Sequence, residues 1–161
     1  MLFNQRIIHG DNGTLRDLSA ALNDLFATNG VIGMVAAEDY IYIGSDLPFN
    51  HRYFNVAVPN AVVSVISEVA IWDGGAWTPA VAVTDQTSVA GATLAQSGIV
   101  SFTVSRDSAW AFEDSTEDMA GSGLETLKIY NMYWTRWKVS VSLTGTTALK
   151  YVGHRFSRDA D

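Results

Sequence analysis

The chain has 161 residues, of which 48% are apolar and 17% charged, with a formal net charge of −7 and no cysteine. This length fits a single domain, and the negative charge argues against broad binding to nucleic acid or to anionic membranes, which requires a basic surface. The lack of cysteine excludes disulfide bonds, zinc–thiolate sites and thiol catalysis.

The charged fraction is low, since roughly 25% is typical of a soluble domain, yet the chain holds five Trp, six Tyr and seven Phe. A subunit that buries part of its surface against neighbouring subunits would combine these two features. The sequence has no run of about 18 apolar residues that would predict a membrane helix, and its first residues do not resemble a signal peptide. We therefore expect synthesis in a cytoplasm and no membrane partner.

The first predicted element is a helix over residues 15–26, in an N-terminal arm of residues 1–30. Thr14 is a suitable N-cap with Asp17 three residues later, and apolar residues then recur at helical spacing before an Asn-Gly stop. The apolar stripe either packs on a sheet or docks into a partner subunit. The residues of this stripe that we consider for contact are Leu18, Leu22 and Phe26.

After residue 30 the pattern changes to period two, which is typical of strands. The clearest case is residues 130–143, where Trp137 and Val139 alternate with Arg136 and Lys138. This alternation predicts an antiparallel sheet with one buried and one solvated face. Strands are predicted at 31–37, 40–44, 52–58, 61–72, 79–83, 98–104, 130–143 and 149–156.

Two connections between strands are distinctive. Asp73-Gly74-Gly75 predicts a tight hairpin turn, and it places Trp72 and Trp77 on opposite arms, where the two indoles can pack across the strands. Residues 107–123 predict a long acidic loop, and loops of this length are often functional.

With eight or nine short strands and frequent turns, the sequence predicts a mainly β fold. We expect an antiparallel, jelly-roll-like β-sandwich over residues 31–161, preceded by one short N-terminal α-helix, within a single domain.

The sequence offers little catalytic chemistry. None of His9, His51 and His154 has a second histidine at metal-ligand spacing, and neither a nucleophile elbow nor a phosphate-binding glycine loop is present. We expect no enzymatic activity, no metal and no cofactor. The acidic loop does hold four carboxylates that could bind Ca²⁺ or act in a glycosidase pair, although a solvated loop is the simpler interpretation. These residues are Glu113, Asp114, Glu117 and Asp118.

The tryptophans suggest an alternative, stacking on sugar rings. Trp137 belongs to the apolar face of its strand and is predicted to be core, whereas Trp134 falls on the opposite face and is a candidate for exposure. Trp110, in the acidic loop, is the strongest surface candidate, with Phe112 beside it. Core packing is the competing interpretation for the whole set.

The basic residues gather towards the C-terminus, where Arg155 and Arg158 lie. A head-to-tail contact between the acidic loop of one copy and this basic tail of another would use both ends of the charge distribution. We expect such a contact to weaken as the salt concentration rises.

The order of several short motifs resembles that in virion structural proteins of tailed bacteriophages, over residues 38–156. The motifs are an aromatic strand, two tryptophans flanking a turn, a D-x-T turn, a strand beginning with Ser-Gly, a single tryptophan and a Y-W-x-R strand. In this chain they are residues 39–44 leading into 48–50 and 53–54, then residues 72–77, 85–87, 97–102, Trp110 and residues 133–136.

The resemblance implies a non-enzymatic structural subunit of a tailed-phage particle, present in several copies at the head, neck, tail or baseplate. Its location would be the virion, assembled in the host cytoplasm, and its partners other virion proteins and copies of itself. The alternative is a carbohydrate-binding module for host-surface glycans. The candidate interaction residues are Leu18, Leu22, Phe26, Trp110, Phe112, Glu113, Asp114, Glu117, Asp118, Trp134, Arg155 and Arg158.

Overall fold

The computed structural model describes residues 4–23, 28–105, 109–113, 119–127 and 131–154. In these residues the chain forms β-strands and one helix of four residues. The strands are β1 (Gln5–Asp11), β2 (Thr14–Asp17), β3 (Gly30–Val31), β4 (Tyr40–Ser45), β5 (His51–Val58), β6 (Ile66–Trp72), β7 (Trp77–Pro79), β8 (Val81–Asp85), β9 (Gly98–Thr103), β10 (Phe112–Glu113), β11 (Met132–Val139) and β12 (Ala148–Gly153), and helix α1 (Ser19–Leu22) follows β2.

The strands form two antiparallel sheets. The larger sheet has the order β2-β1-β4-β11-β6-β7, with β10 paired to the start of β11, and the smaller sheet has the order β3-β12-β5-β9-β8. Apolar side chains of both sheets form one buried cluster between them. The predicted mainly β, antiparallel sandwich is therefore confirmed.

The main core lies between the two sheets and is rich in aromatic side chains. The Trp137 ring of β11 packs edge-on against Phe54 of β5, with centroids 5.5 Å apart, and against Phe102 of β9, at 5.7 Å. Burying a side chain of this size contributes about 1.5–3 kcal/mol. The prediction that Trp137 belongs to the core is confirmed, since it is 4% exposed.

A second core covers the outer face of the larger sheet. Part of this core is contributed by residues 109–113 and 119–127, which we name the covering segment. The covering segment packs apolar side chains onto strands β1, β4, β6 and β11, so this face of the sheet is not solvated there. The buried residues of this second core are Ile8, Tyr42, Trp72, Met119, Leu124, Met132 and Trp134.

Two indoles fasten the covering segment to the sheet. Trp77 Nε1 donates a hydrogen bond to the Ser122 carbonyl oxygen at 3.0 Å, and Trp72 Nε1 donates to Glu113 Oε1 at 2.5 Å. Trp72 and Trp77 are opposite each other in the β6–β7 hairpin, with ring centroids 5.2 Å apart. The predicted cross-strand indole pair is thus confirmed, and it also anchors a distant part of the chain.

The prediction of a helix over residues 15–26 is wrong for its first residues. Thr14–Asp17 is strand β2, paired with β1 in the larger sheet, and Thr14 therefore caps no helix. Within the described residues only Ser19–Leu22 is helical, and positions 24–27 lie outside them.

Some predicted strands are too long. Of residues 31–37 only Val31 belongs to a strand, and residues 61–65 precede β6 instead of forming part of it. Both stretches are apolar, but they bond to neighbouring loops in place of a sheet ladder, as the Ser64 amide does with Gly91 O at 3.0 Å. An apolar run predicts contact with a core more securely than it predicts strand pairing.

Candidate functional site

The two leucines predicted as N-terminal contact residues belong to the main core of the chain itself. Leu22 is 0% exposed, and Leu18 is partly buried against the same cluster. Docking of the Leu22 side chain into a partner subunit is therefore wrong, whereas the contact through the partly exposed Leu18 stays a prediction. Phe26 lies outside the described residues.

The acidic loop and basic tail are described only in part. Glu113 is 2% exposed and its carboxylate accepts the Trp72 indole N–H, so this residue is an internal fastening and not a solvated contact. Phe112 is 44% exposed, as a contact residue would be. The remaining candidates, Asp114, Glu117, Asp118, Arg155 and Arg158, lie outside the described residues, and the salt-sensitive contact stays a prediction.

Of the two tryptophans proposed for the surface, only Trp110 reaches it. Trp134 is 1% exposed, because the covering segment lies over its face of the sheet, so the expectation of an exposed Trp134 is wrong. Trp110 is partly exposed and held on three sides. Its Nε1 donates to Trp134 O at 3.1 Å, and its ring packs against Phe49 and Tyr133 with centroid distances of 5.2 and 5.6 Å.

His9 lies in a buried polar cluster that is structural. Its Nδ1 accepts a hydrogen bond from Arg16, and its Nε2 lies 3.5 Å from Asp39 Oδ2. Asp39 also accepts the backbone N–H groups of Val35 (2.8 Å) and Asn12 (3.1 Å). Burial, together with the charge of Arg16, lowers the pKa of His9, so the ring is neutral at pH 7.

Arg52 is a second buried polar group, 0% exposed at one end of the main core. Its Nε donates to Gln5 Oε1 at 2.7 Å, Nη1 donates to His51 O at 2.9 Å, and the guanidinium lies 3.6 Å from the centroid of the Phe49 ring. Burial lowers the pKa of Arg52 to about 9, which leaves it charged at pH 7. Because Arg52 is fully buried, its hydrogen bonds stabilise this end of the main core from inside, and it is not accessible to a ligand.

Metal binding has no structural support in the part of the chain that the structure describes. Within those ranges no three His, Asp or Glu side chains are placed to hold an ion. The same residues contain no helix long and apolar enough to cross a membrane.

One end of the sandwich is built from loops with few charged side chains, although the exposed Glu38 lies in the same turn as Val35. The loop after β5 lies between two others: the Ser64 amide donates to Gly91 O at 3.0 Å, and the Ser140 amide donates to Val65 O at 2.9 Å. These loops belong to long stretches without Asp, Glu, Lys, Arg or His. The uncharged stretches are residues 30–37, 54–67, 86–105 and 139–149.

Valine side chains project into solvent from this end. Ser64 is buried and its hydroxyl donates to Val141 O at 2.7 Å, which leaves Val63 and Val65 on either side of it facing out. The exposed Ser140 hydroxyl accepts the Val65 N–H at 3.0 Å and holds this loop beside Val141. The loop that holds Met34 joins the same end through a bond from the Leu143 amide to Met34 O at 2.9 Å. We name this surface the valine end; it comprises Val35 (40% exposed), Val63 (68%), Val65 (54%), Val89 (46%) and Val141 (48%).

Sequence reasoning missed the valine end, because the runs 31–37, 61–72 and 130–143 each predict a strand when taken alone. The signal that could have revealed it is the shared lack of charge in four separate stretches. Isolated exposed valines are ordinary, whereas several on adjoining uncharged loops indicate a contact surface.

A groove occupies the opposite end, where β5 begins and β9 ends. It consists of two adjoining depressions of about 590 and 570 Å³ that share Asn50, Phe102 and Thr103. Phe49 and Trp110 line the first depression. His51, Thr84 and Ser101 line the second. We name the whole the Trp110 groove.

Comparison with protein-family models, with curated proteins and with solved structures gives no match for this chain.

Proposed function

We propose that this chain is a non-enzymatic structural subunit of a tailed-phage particle, in which copies of the chain associate through the valine end. The observation that carries the proposal is this surface of exposed valines on loops with few charged residues. Apolar surface of this kind is stabilised when a partner removes it from water.

Charge favours the valine end as the place where two copies meet. Each copy carries a formal charge of −7, so copies repel each other at long range. The repulsion is weakest where each partner presents few charged side chains. Four uncharged stretches converge at the valine end, and the exposed Glu38 beside Val35 is at its edge. The same patch on both copies would make a self-complementary contact about a two-fold axis.

The phage destination is supported by the motif order over residues 38–156 and by the sandwich fold that this resemblance implies. A structural role is supported by the use of the buried polar groups. His9 and Arg52 are enclosed and bonded to their own chain, where they hold strands and loops together.

The association is tested with the double variant Val63→Glu/Val65→Glu. Both positions are more than half exposed, so the fold should tolerate the change, while an association of two copies would bring four carboxylates together. In sedimentation velocity we expect the wild type to form a reversible oligomer and the double variant to be monomeric.

The control is Val81→Glu, which adds one carboxylate per copy, half the charge of the double variant, on edge strand β8 at a position that is 54% exposed. We expect it to associate like the wild type. A wild type that is monomeric at every concentration, or a control as impaired in association as the double variant, contradicts the contact.

The phage assignment has a separate test. Tailed particles from the organism that carries the gene should contain the chain by mass spectrometry, and its absence from them contradicts the phage assignment.

A further inference from the structure

The Trp110 groove combines an aromatic wall with uncharged hydrogen-bonding groups. Trp110 is partly exposed, and its only ring N–H already donates to Trp134 O, so the accessible part of the indole is apolar. The contacts with Phe49 and Tyr133 fix the orientation of this ring before any ligand arrives, which lowers the entropy cost of binding.

Polar side chains continue along the groove away from Trp110. Asn50 and Thr103 are exposed where the two depressions join, and the Asn50 side chain is oriented by a 2.8 Å hydrogen bond between its Oδ1 and His51 Nδ1. Thr84 and Ser101 follow on strands β8 and β9. Amide and hydroxyl groups of this kind can both donate and accept hydrogen bonds.

The described lining of the groove carries no charge at neutral pH. Asp, Glu, Lys and Arg do not occur among its described lining residues. Burial lowers the pKa of His51, and the charge of Arg52 lowers it further, so His51 is neutral at pH 7. A ligand that depends on ion pairs, such as a nucleic acid or an acidic peptide, finds no partner for its charges along this lining.

An extended peptide added to the neighbouring sheet edge fits less well. The β8 edge is interrupted between Val81 and Thr84, where Ala82 adopts a left-handed conformation (φ +54°). Irregularities of this kind protect an edge strand from pairing with another chain. The groove beside β8 therefore favours a ligand that is recognised through side chains.

We propose that the Trp110 groove binds a neutral oligosaccharide, with one sugar ring stacked on Trp110 and hydroxyl groups bonded to Asn50, Thr103, Ser101 and Thr84. A sugar ring has an apolar face bordered by hydroxyl groups, which matches an indole beside amide and hydroxyl side chains. Each depression has a volume within the range of about 300–1,000 Å³ that is usual for small-molecule sites. The site is independent of the association through the valine end.

The test is binding of the full chain to immobilised neutral hexasaccharides of glucose, mannose, galactose, xylose and N-acetylglucosamine, followed by calorimetric titration of those that bind. We expect at least one to bind, and Trp110→Ala to weaken that binding by about tenfold or more, because it removes the stacking surface. The control is Val31→Ala, which shortens an exposed apolar side chain on edge strand β3, outside the described lining of the groove, and should leave the affinity unchanged.

Two exposed variants keep the test decisive if Trp110→Ala is poorly folded: Asn50→Ala and Thr103→Ala should each weaken binding without loss of the fold. The Val63→Glu/Val65→Glu variant should bind as the wild type does, which separates this inference from the proposed association. The inference is overturned if no neutral hexasaccharide binds at millimolar concentration, if sulfated or uronic-acid hexasaccharides bind while the neutral ones do not, or if the groove variants bind as tightly as the wild type.

Discussion

The pair formed by Gly44 and Trp134 shows what one residue contributes to the second core. The two residues are opposite each other in the β4–β11 ladder, and the Trp134 ring lies flat against the Gly44 backbone. A Cβ atom at Gly44 would lie 2.9 Å from three atoms of that ring. A glycine inside a strand is normally weakening, and here it makes the space that the indole fills.

We expect Gly44→Ala to lower the free energy of unfolding. The added methyl group should gain about 0.5–1 kcal/mol from reduced backbone entropy in the unfolded chain. Overpacking against a ring that is 1% exposed and cannot move aside should cost about 1–3 kcal/mol, so the loss prevails. Urea denaturation measures the difference. The control is Gly145→Ala, where a Cβ would have no heavy atom within 4 Å, and equal stability of the two variants would contradict the account.

At the scale of elements, Asp85 holds the loop between β8 and β9 in place. One carboxylate oxygen accepts the Thr87 N–H at 2.8 Å and the Thr87 hydroxyl at 2.5 Å, and the other accepts the Thr93 hydroxyl at 2.5 Å. Both threonines are 0% exposed. The D-x-T motif seen in the sequence is therefore a fastening for this loop, which also carries Val89 of the valine end.

We expect Asp85→Ala to destabilise the protein by about 1–3 kcal/mol, because it leaves two buried threonine hydroxyls without their acceptor. Asp85→Asn keeps one acceptor oxygen and should lose less. Thermal or urea unfolding gives the order, and Glu38→Ala, a change at an exposed carboxylate, serves as the reference. An Asp85→Ala variant as stable as the Glu38→Ala variant would remove the fastening role.

Alternation along β11 was enough to predict which side chains share a face, but not what lies against that face. Trp137 and Trp134 do point to opposite sides, as the pattern requires. The solvated face was predicted because Arg136 and Lys138 share it. The residues that cover Trp134, including Met119 and Leu124, come from a stretch without hydrophobic periodicity. No local sequence pattern could therefore predict that this stretch packs on the sheet.

The helix near the N-terminus was mispredicted for a related reason. Leu15, Leu18 and Leu22 have helical spacing, which implies one apolar stripe. In the structure Leu15 packs against the second core, and Leu18 and Leu22 pack against the main core. These leucines therefore do not form one stripe, because they contact cores on opposite sides of the larger sheet. Strand β2 directs Leu15 to the second core, and the helical turn after it directs Leu22 to the main core.

For the molecule as a whole, the two proposed sites lie at opposite ends of the sandwich. Residues 48–50 precede β5 and line the Trp110 groove, whereas residues 59–65 follow β5 and contribute to the valine end. An eight-residue strand spans about 25 Å. A subunit attached through its valine end would therefore present the groove outward, away from the contact.

The stability of the whole molecule should depend on pH through its histidines. Burial lowers the pKa of His9, His51 and His154, with a further lowering by nearby Arg16 for His9 and by Arg52 for the other two. Asp39 and Asp11 act on His9 in the opposite direction without cancelling the effect. In the unfolded chain these histidines return to a pKa of about 6.5.

Because the unfolded state then binds protons more tightly than the folded state, the free energy of unfolding should fall as the pH drops through 6.5 and continue to fall towards the lower folded pKa values. Asp73 and Glu125, whose pKa values are lowered by hydrogen bonds to their carboxylates, lose their contribution only in a more acidic range. Urea midpoints between pH 7.5 and 5.5 therefore report mainly on histidine.

We expect His9→Gln to reduce the slope of stability against pH in this range, whatever its effect on stability at pH 7.5. A slope identical to that of the wild type would show that His9 keeps its unfolded pKa in the native protein.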